Sequence, residues 1–201
     1  MIGIAPLPRA EVAPAARILA AAFADDAVVA EFVPHVANRQ KKLEQLFTAT
    51  IHAVGLHRNS IDAARDDDGQ LLGVAIWEAS PSTGESWRML TQAPRYLAAL
   101  RLTGMIRWLR TRHAFTGYRP TEPHWYLSNI GAAPAARGKG IGSALLRHRL
   151  DLVDGQHQPA CLEATTPDSQ RLYQRFGFQT HSTITVLRAT EPTAMIRPAR
   201  A

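Results

Sequence analysis

Trp125-Tyr-Leu-Ser-Asn-Ile-Gly-Ala132 reads as an apolar strand, Arg137-Gly-Lys-Gly-Ile-Gly142 as a glycine loop, and Ser143-Ala-Leu-Leu-Arg-His-Arg-Leu150 as the start of a helix. A strand, a glycine loop and a helix in that order set the first turn of the helix beside a sheet. Gly138, Gly140 and Gly142 alternate, so no side chain there separates the loop's backbone from a ligand. The first N–H groups of a helix lack internal partners and carry the positive end of its dipole. The combination predicts a seat for a diphosphate. Position 143 is Ser, which breaks the Gly-x-Gly-x-x-Gly dinucleotide spacing, and no Lys-Ser or Lys-Thr follows the last glycine as a Walker loop requires.

Further along, Ser169-Gln-Arg-Leu-Tyr-Gln-Arg-Phe-Gly-Phe178 follows the short strand Ala160-Cys-Leu-Glu-Ala-Thr165 at a distance suited to one strand and one helix. The glycine loop resembles the Arg-x-x-Gly-x-Gly/Ala acyl-CoA pyrophosphate loop of the GNAT family of N-acetyltransferases. The second segment resembles the Tyr-x-x-x-Gly-Phe segment that closes that family's acetyl-CoA site, with Ser169 where the family usually has Asn. Asp168 beside it is a candidate helix N-cap. The resemblance extends over the whole chain. Within the family the puromycin N-acetyltransferase-like subgroup is most similar, through Leu19-Ala-Ala-Ala-Phe-Ala-Asp25, Pro123-His-Trp-Tyr-Leu127 and Leu162-Glu-Ala-Thr165.

This resemblance implies a single α/β (α+β) domain over residues 1–201, with a mixed, mostly antiparallel sheet of about six or seven strands flanked by helices on both faces. It implies acetyl-CoA as acyl donor. Ile130, Gly131 and Ala132 would edge the pantetheine on a bulged strand, a bulge with which Gly131 is compatible. Arg137, Gly138, Lys139, Gly140, Ile141, Gly142 and Ser143 would hold the diphosphate, and Ser169 and Tyr173 would close the site. Tyr173 takes the place of the general acid for the departing thiolate, its alternative being a packed aromatic under the sheet. Glu163 resembles a base of the family's ribosomal-protein acetyltransferases, the central strand having no Glu of its own; an ion-pair role stands beside it.

Acyl transfer needs a positioned thioester, a neutral amine and a proton for the thiolate. A phenol near pKa ~10 protonating a thiolate near ~8.5 goes uphill by about 2 kcal/mol, so Tyr173 must be reprotonated as the amine loses a proton. Freeing a lysine amine at pH 7 costs about 4.6 kcal/mol and an α-amino group only about 1, so the missing strand Glu favours an amine of low pKa. A small-molecule primary amine is the expected acceptor. A protein or peptide acceptor is the alternative, and a silent acyl-CoA-binding or basic nucleic-acid-binding module the reading of another class.

The chain has 201 residues, 46% of them hydrophobic, enough for one domain with a full core. No apolar run reaches the ~20 residues that span a bilayer, and the N-terminus lacks the regions of a signal peptide, so the expectation is a cytoplasmic protein with no membrane partner. Cys161 is the only cysteine and reads as a buried small hydrophobe. The eight histidines show no metal-ligand spacing, no Gly-x-Ser-x-Gly elbow exists, and no metal is expected. A calcium loop ending at Gly69 would need acids where Ala64 and Ala75 stand, so Asp66, Asp67 and Asp68 form a solvated turn.

Net charge is +6, which suits capture of an anionic coenzyme as well as it suits nucleic acid, and nucleic acid is the less expected partner. Between Ser86 and Thr121 there is no acidic residue but there are seven arginines, at 88, 95, 101, 107, 110, 112 and 119. A solvated helix face is the plain reading of that run; a phosphate, coenzyme-capture or membrane-surface role is the alternative. A homodimer is left open.

Along the chain, the pattern predicts a strand near Ile2–Pro6 and a helix over Arg9–Ala24 with Val12, Ala16, Leu19 and Phe23 inward. A substrate-side loop over Asp25–Val36 and a helix over about Asn38–Leu56 follow, then a hairpin of Ser60–Arg65 and Leu71–Trp77. A helical insertion over 82–122 comes next, with Pro94 in a first turn and Gly104 as its weak point. The helix after the glycine loop ends near Asp154–Gly155, and a terminal strand pair runs near Gln179–Arg188 and Thr193–Arg197. Phe32, Trp87, Trp108, Trp125 and Tyr126 are candidates for an acceptor pocket or for the core, and His124 for a substrate contact or a structural role.

Overall fold

The computed structural model describes residues 1–34, 37–56, 60–80 and 85–200, with side chains from 87 onward in the last segment. Seven strands form one sheet in the order β1-β2-β3-β4-β5-β7-β6. They are β1 (Gly3–Pro6), β2 (Ile61–Arg65), β3 (Leu71–Ser80), β4 (His124–Ala132), β5 (Ala160–Ala164), β6 (Gln179–Thr183) and β7 (Thr193–Arg197). Every pairing is antiparallel except β4 with β5. The helices are α1 (Val12–Ala22), α2 (Ala27–Phe32), α3 (Arg39–Val54), α4 (Glu85–Thr91), α5 (Ala93–Thr116), α6 (Ile141–Gly155) and α7 (Pro167–Gln174).

Alternation along the strands divides the core. Ile61, Ala63, Val74 and Ile76 face α1, α2, α3 and α5, while Ala64, Ala75, Trp77, Trp125, Leu127 and Leu162 face α6 and α7. Through the second layer runs a buried ion pair, Arg149 of α6 donating from Nε and a terminal nitrogen to Asp62 of β2 at 2.9 and 2.6 Å. Truncating either partner would leave a charge buried alone, a loss of about 3–5 kcal/mol. Nothing in the linear pattern singles out this pair.

Three expectations change. The stretch from Asp25 is not simply a loop: Asp26 caps α2 by accepting from the Val29 N–H at 2.9 Å, and the short helix that follows buries Val28, Val29 and Phe32. The expected end of that loop at Val36, and the start of the insertion at Ser82, lie outside the described residues. The insertion holds α4 and α5, with Pro94 in the first turn of α5. Its break is not at Gly104 but at Arg101, whose φ of 57° and ψ of 178° interrupt the helix. Gly104 serves packing instead, since a Cβ there would meet the Phe32 carbonyl oxygen at 2.5 Å. That close crossing of α5 over α2 packs α5 on α2 and α3.

The bulge in the central strand is also displaced. Ile76 pairs with Asn129 and Trp77 with Leu127, so Ser128 is the extra residue on β4. Gly131 pairs in regular register with Val74, and its lack of a side chain admits α1: a Cβ would meet the Ala22 Cβ at 2.7 Å.

Candidate active site

The local sequence around the bulge opens the sheet. β4 pairs with β5 at only two positions, Trp125 with Ala160 and Tyr126 with Cys161. Beyond Tyr126 the two strands part, and Leu127 and residues 129–132 pair with β3 alone. Into this opening runs a cavity of about 500 Å³. Its walls are the end of α1, α2, α3, α5, the bulged part of β4, Glu163 on β5 and the first turns of α7.

At one end stands the glycine loop. A short 3-10 turn, Pro134–Ala136, leads from β4, and Gly140 caps α6 with φ 79°, no side chain contributing a cap hydrogen bond. Gly138 has φ 76°, and a Cβ built on either glycine meets nothing within 4 Å. Left-handed backbone therefore requires glycine here, and the same choice leaves the loop open in front of the α6 N-terminus. Arg137 binds the end of α1, a terminal nitrogen donating to the Ala21 carbonyl at 2.8 Å.

Tyr173 of α7 lines the cavity and is buried, its ring 6.0 Å from that of Phe178 in an edge-on arrangement. Burial, then the nearby charges of Asp26 and Glu163, push its hydroxyl well above the ordinary phenol range, so it holds its proton throughout the physiological range. Ser169 belongs to a capping box with Thr166: its N–H donates to the Thr166 hydroxyl at 3.1 Å, and its own hydroxyl donates to the Thr166 carbonyl at 2.8 Å. The N-cap of α7 is thus Thr166. Asp168 is in the first turn and pairs with Arg171, contrary to the expected cap.

At the other end Tyr126 donates its hydroxyl to Glu163 at 2.6 Å. Desolvation raises the Glu163 carboxyl to about 7, against the lowering effect of the Tyr126 hydrogen bond and of Arg119. Burial first, and then the Glu163 charge, raise Tyr126 well above its ordinary value. Around this pair, Arg119 stacks on the Tyr126 ring at 3.4 Å, Glu78 lies opposite Tyr126 across β3 and β4, and Arg112 approaches Glu78 at 3.6 Å. Two arginines of the acid-free stretch therefore turn toward buried carboxylate and phenol groups, because the end of α5 and the turn after it come within side-chain reach of β3 and β4. Arg107 and Arg110 stay exposed as a solvated face would have them.

The cavity brings together Ile130, Arg137, Glu163, Ser169 and Tyr173 among the residues singled out in the sequence; Gly131, Ala132 and Gly138–Ser143 are not part of its lining. Of the aromatic candidates, Phe32, Trp108 and Tyr126 line it. Trp125 faces the other layer, its indole N–H donating to Gln156 at 2.8 Å, and Trp87 is exposed on α4. His124 is buried with Nδ1 2.8 Å from the Glu122 carbonyl oxygen and is structural. Cys161 is buried, its thiol pushed up to about 12 by desolvation, which removes it as a nucleophile.

Sequence reasoning missed Asp26, whose second oxygen accepts from the Thr165 hydroxyl at 2.8 Å and so ties α2 to the end of β5 beside Tyr173. The signal was present, since Asp before the apolar run Ala27–Phe32 is an N-cap pattern. Thr111 and Arg112 carried no such mark.

Residues 40–178 match the Acetyltransferase (GNAT) family, well over half of the chain. The crystal structure of histone acetyltransferase HPA2 and related acetyltransferase from Corynebacterium glutamicum is similar over 100% of this chain and 97% of that one, with 28% identity and a TM-score of 0.74. Arylalkylamine N-acetyltransferase 2 from Aedes aegypti is similar over 99% of each chain, with 16% identity and a TM-score of 0.67. The polyamine N-acetyltransferase of Drosophila melanogaster is similar over 98% of this chain and 100% of that one, with 16% identity and a TM-score of 0.60.

Proposed function

This chain belongs to the Acetyltransferase (GNAT) family, and from that premise we propose that it transfers an acetyl group from acetyl-CoA to a primary amine of a small, partly apolar molecule, by direct attack with both substrates bound. The observation that carries the reading is the parting of β4 from β5 beyond Tyr126, with Tyr173 and Glu163 lining one cavity inside it. Acetyl-CoA, when bound, supplies the thioester carbonyl that the amine attacks.

The residues present fit that donor. The unpaired edge of β4 from Leu127 to Ala132 offers backbone N–H and C=O groups to an amide-bearing chain, which is the role proposed for Ile130, Gly131 and Ala132. The open backbone of Gly138–Ser143 at the α6 N-terminus is suited to a diphosphate, with Lys139 adding charge from solvent. Arg137 fixes the loop to α1, and Ser169 fixes the first turn of α7, so both act by positioning.

Tyr173 is the proposed acid. Its raised pKa lifts the ordinary uphill transfer of about 2 kcal/mol only if the thiolate is left unaffected. A thiolate forming in the same desolvated site is disfavoured alongside the phenolate, so the difference between the two groups decides the transfer. Glu163 is the proposed base for the proton the amine loses, either directly or through the Tyr126 hydroxyl that it accepts. As the amine nitrogen bonds to the carbonyl carbon and the C–S bond breaks, one proton passes from the amine to Glu163 and another from Tyr173 to sulfur; the proton held by Glu163 then returns to the Tyr173 phenolate through solvent, so that the net transfer is one proton from nitrogen to sulfur.

Phe23, Val29, Phe32, Phe47, Trp108 and Phe115 give the acceptor end an apolar, aromatic wall, which supports an amine with an apolar body over a free polar peptide. The low-identity relatives named for arylalkylamines and polyamines add a fold analogy alone. The test is thiol release from acetyl-CoA at several pH values with arylalkylamines, polyamines, puromycin, amino acids and lysine- or N-terminal peptides as acceptors. Release dependent on an apolar small amine is expected. Release only with peptides, or acetyl-CoA binding without release for any acceptor, would overturn the proposal.

A further inference from the structure

α5 has two apolar faces. Gly104, Trp108, Thr111 and Phe115 are buried against α2 and the sheet side of the cavity. Leu102, Ile106 and Leu109, at spacings of four and three residues, stand on the opposite side of the same helix, exposed by 67%, 48% and 48%. On α4, Trp87 and Leu90 are exposed by 71% and 65%. A globular helix normally keeps one apolar stripe for the core and covers the other side with charge. Here the outer stripe lies within the acid-free stretch from Ser86 to Thr121, and Arg101 and Arg110 beside it have no carboxylate in ion-pair reach among the described residues.

What covers such a face must be apolar and anionic together. A second copy of the chain joined through this face brings the same arginines and no acid from this stretch, so like charges would meet at the rim. A bilayer containing acidic lipids supplies both properties: acyl chains for Leu102, Ile106 and Leu109, and phosphates for the arginines around them. We propose that the outer face of α5 docks on an anionic lipid surface. This departs from the expectation of no membrane partner and involves no span, since no helix among the described residues is long and apolar enough to cross a bilayer. The same helix forms a wall of the acceptor cavity, so docking would present that cavity beside the lipid interface.

The experiment is flotation of the full chain with vesicles of phosphatidylcholine alone and of phosphatidylcholine mixed with phosphatidylglycerol, at low and raised salt, alongside sedimentation velocity without lipid. Binding to the mixed vesicles that weakens with salt is expected. L102Q/I106Q/L109Q should reduce it to background, and R101Q/R110Q should lower affinity by about fivefold for each arginine removed. Acetyl-CoA affinity, measured by calorimetry, should be unchanged in both variants and so report an intact fold. Failure of the wild-type chain to float with either vesicle, or equal binding to both, would overturn the proposal. So would a dimer that the triple variant splits, which would assign the face to a second copy of the chain.

Discussion

The glycine loop and the outer edge of β4 leave backbone uncovered, whereas the cavity beside them presents Phe32, Trp108, Arg112, Tyr126 and Glu163 from four separate elements. The first region is continuous in sequence from Ile130 to Ser143 and is held by one bulge, one 3-10 turn and one helix cap. The second exists only where α2, α5, β4 and β5 converge. A backbone site is hard to modify and recognises what the polar groups of a main chain can recognise, namely amides and phosphates. A side-chain site can be rebuilt by exchanging single residues.

Gly140→Glu puts this contrast under the greatest load. Left-handed backbone costs a non-glycine residue about 1–2 kcal/mol, which the fold can absorb, but a carboxylate would then stand where the loop meets a diphosphate. We expect acetyl-CoA binding by calorimetry to vanish and turnover to fall by about 100-fold or more, with the melting transition retained. Unchanged binding would mean that the loop is not the donor site.

Tyr173→Phe should separate binding from chemistry. The hydroxyl is the only group removed, so the affinity for acetyl-CoA should hold while kcat falls by about 100-fold or more in stopped thiol-release assays. Equal losses in kcat and donor affinity would return Tyr173 to a packing role.

Glu163→Gln tests the side-chain end through pH. With its carboxyl raised to about 7, Glu163 is protonated below that pH and acts as a base only above it, so kcat/KM of the wild type should climb through pH 7. The variant should lose that limb and fall about tenfold at pH 8, while differing little at pH 6. Stability carries the opposite sign. A raised carboxyl pKa contributes stability that is full below the ordinary carboxylate value and is lost as pH rises through about 7, so the melting temperature of the variant should depend less on pH across that window.

The smallest effect belongs to Tyr126→Phe. The Tyr126 hydrogen bond stabilises the ionised Glu163, so its removal should push the Glu163 carboxyl further up and move the kcat/KM limb to higher pH, by about half a unit to one unit for a bond worth about 1 kcal/mol. A limb that moves to lower pH would show that Tyr126 does not stabilise that charge.

The glycine loop, the strand before it, α6, α7 with Tyr173 and the β2–β3 hairpin were legible because each is written in consecutive residues with local physical meaning: alternation, helical spacing, glycine where φ is positive. The displaced features have local causes. Asp168 looked like a cap when Thr166 was, because both are cap-forming residues within one turn of Ser169; the bulge fell at Ser128 in place of Gly131, and the break in α5 at Arg101 in place of Gly104, because both glycines serve close packing here. The inward turn of Arg112 and Arg119 left no local trace, since an arginine run reads the same whether its partners are water or buried carboxylates across the sheet.

By itself, then, the sequence determined an α/β domain with a glycine loop between β4 and α6 and Tyr173 on the helix after β5, because those depend on interactions within a few residues. Only the tertiary structure decided which aromatic side chains face the cavity, that Glu163 is bound by Tyr126 among two arginines and a second carboxylate, and that α5 carries an apolar stripe on its outer side. Those features depend on desolvation and on contacts between residues far apart in the chain, and both are properties of the packed molecule.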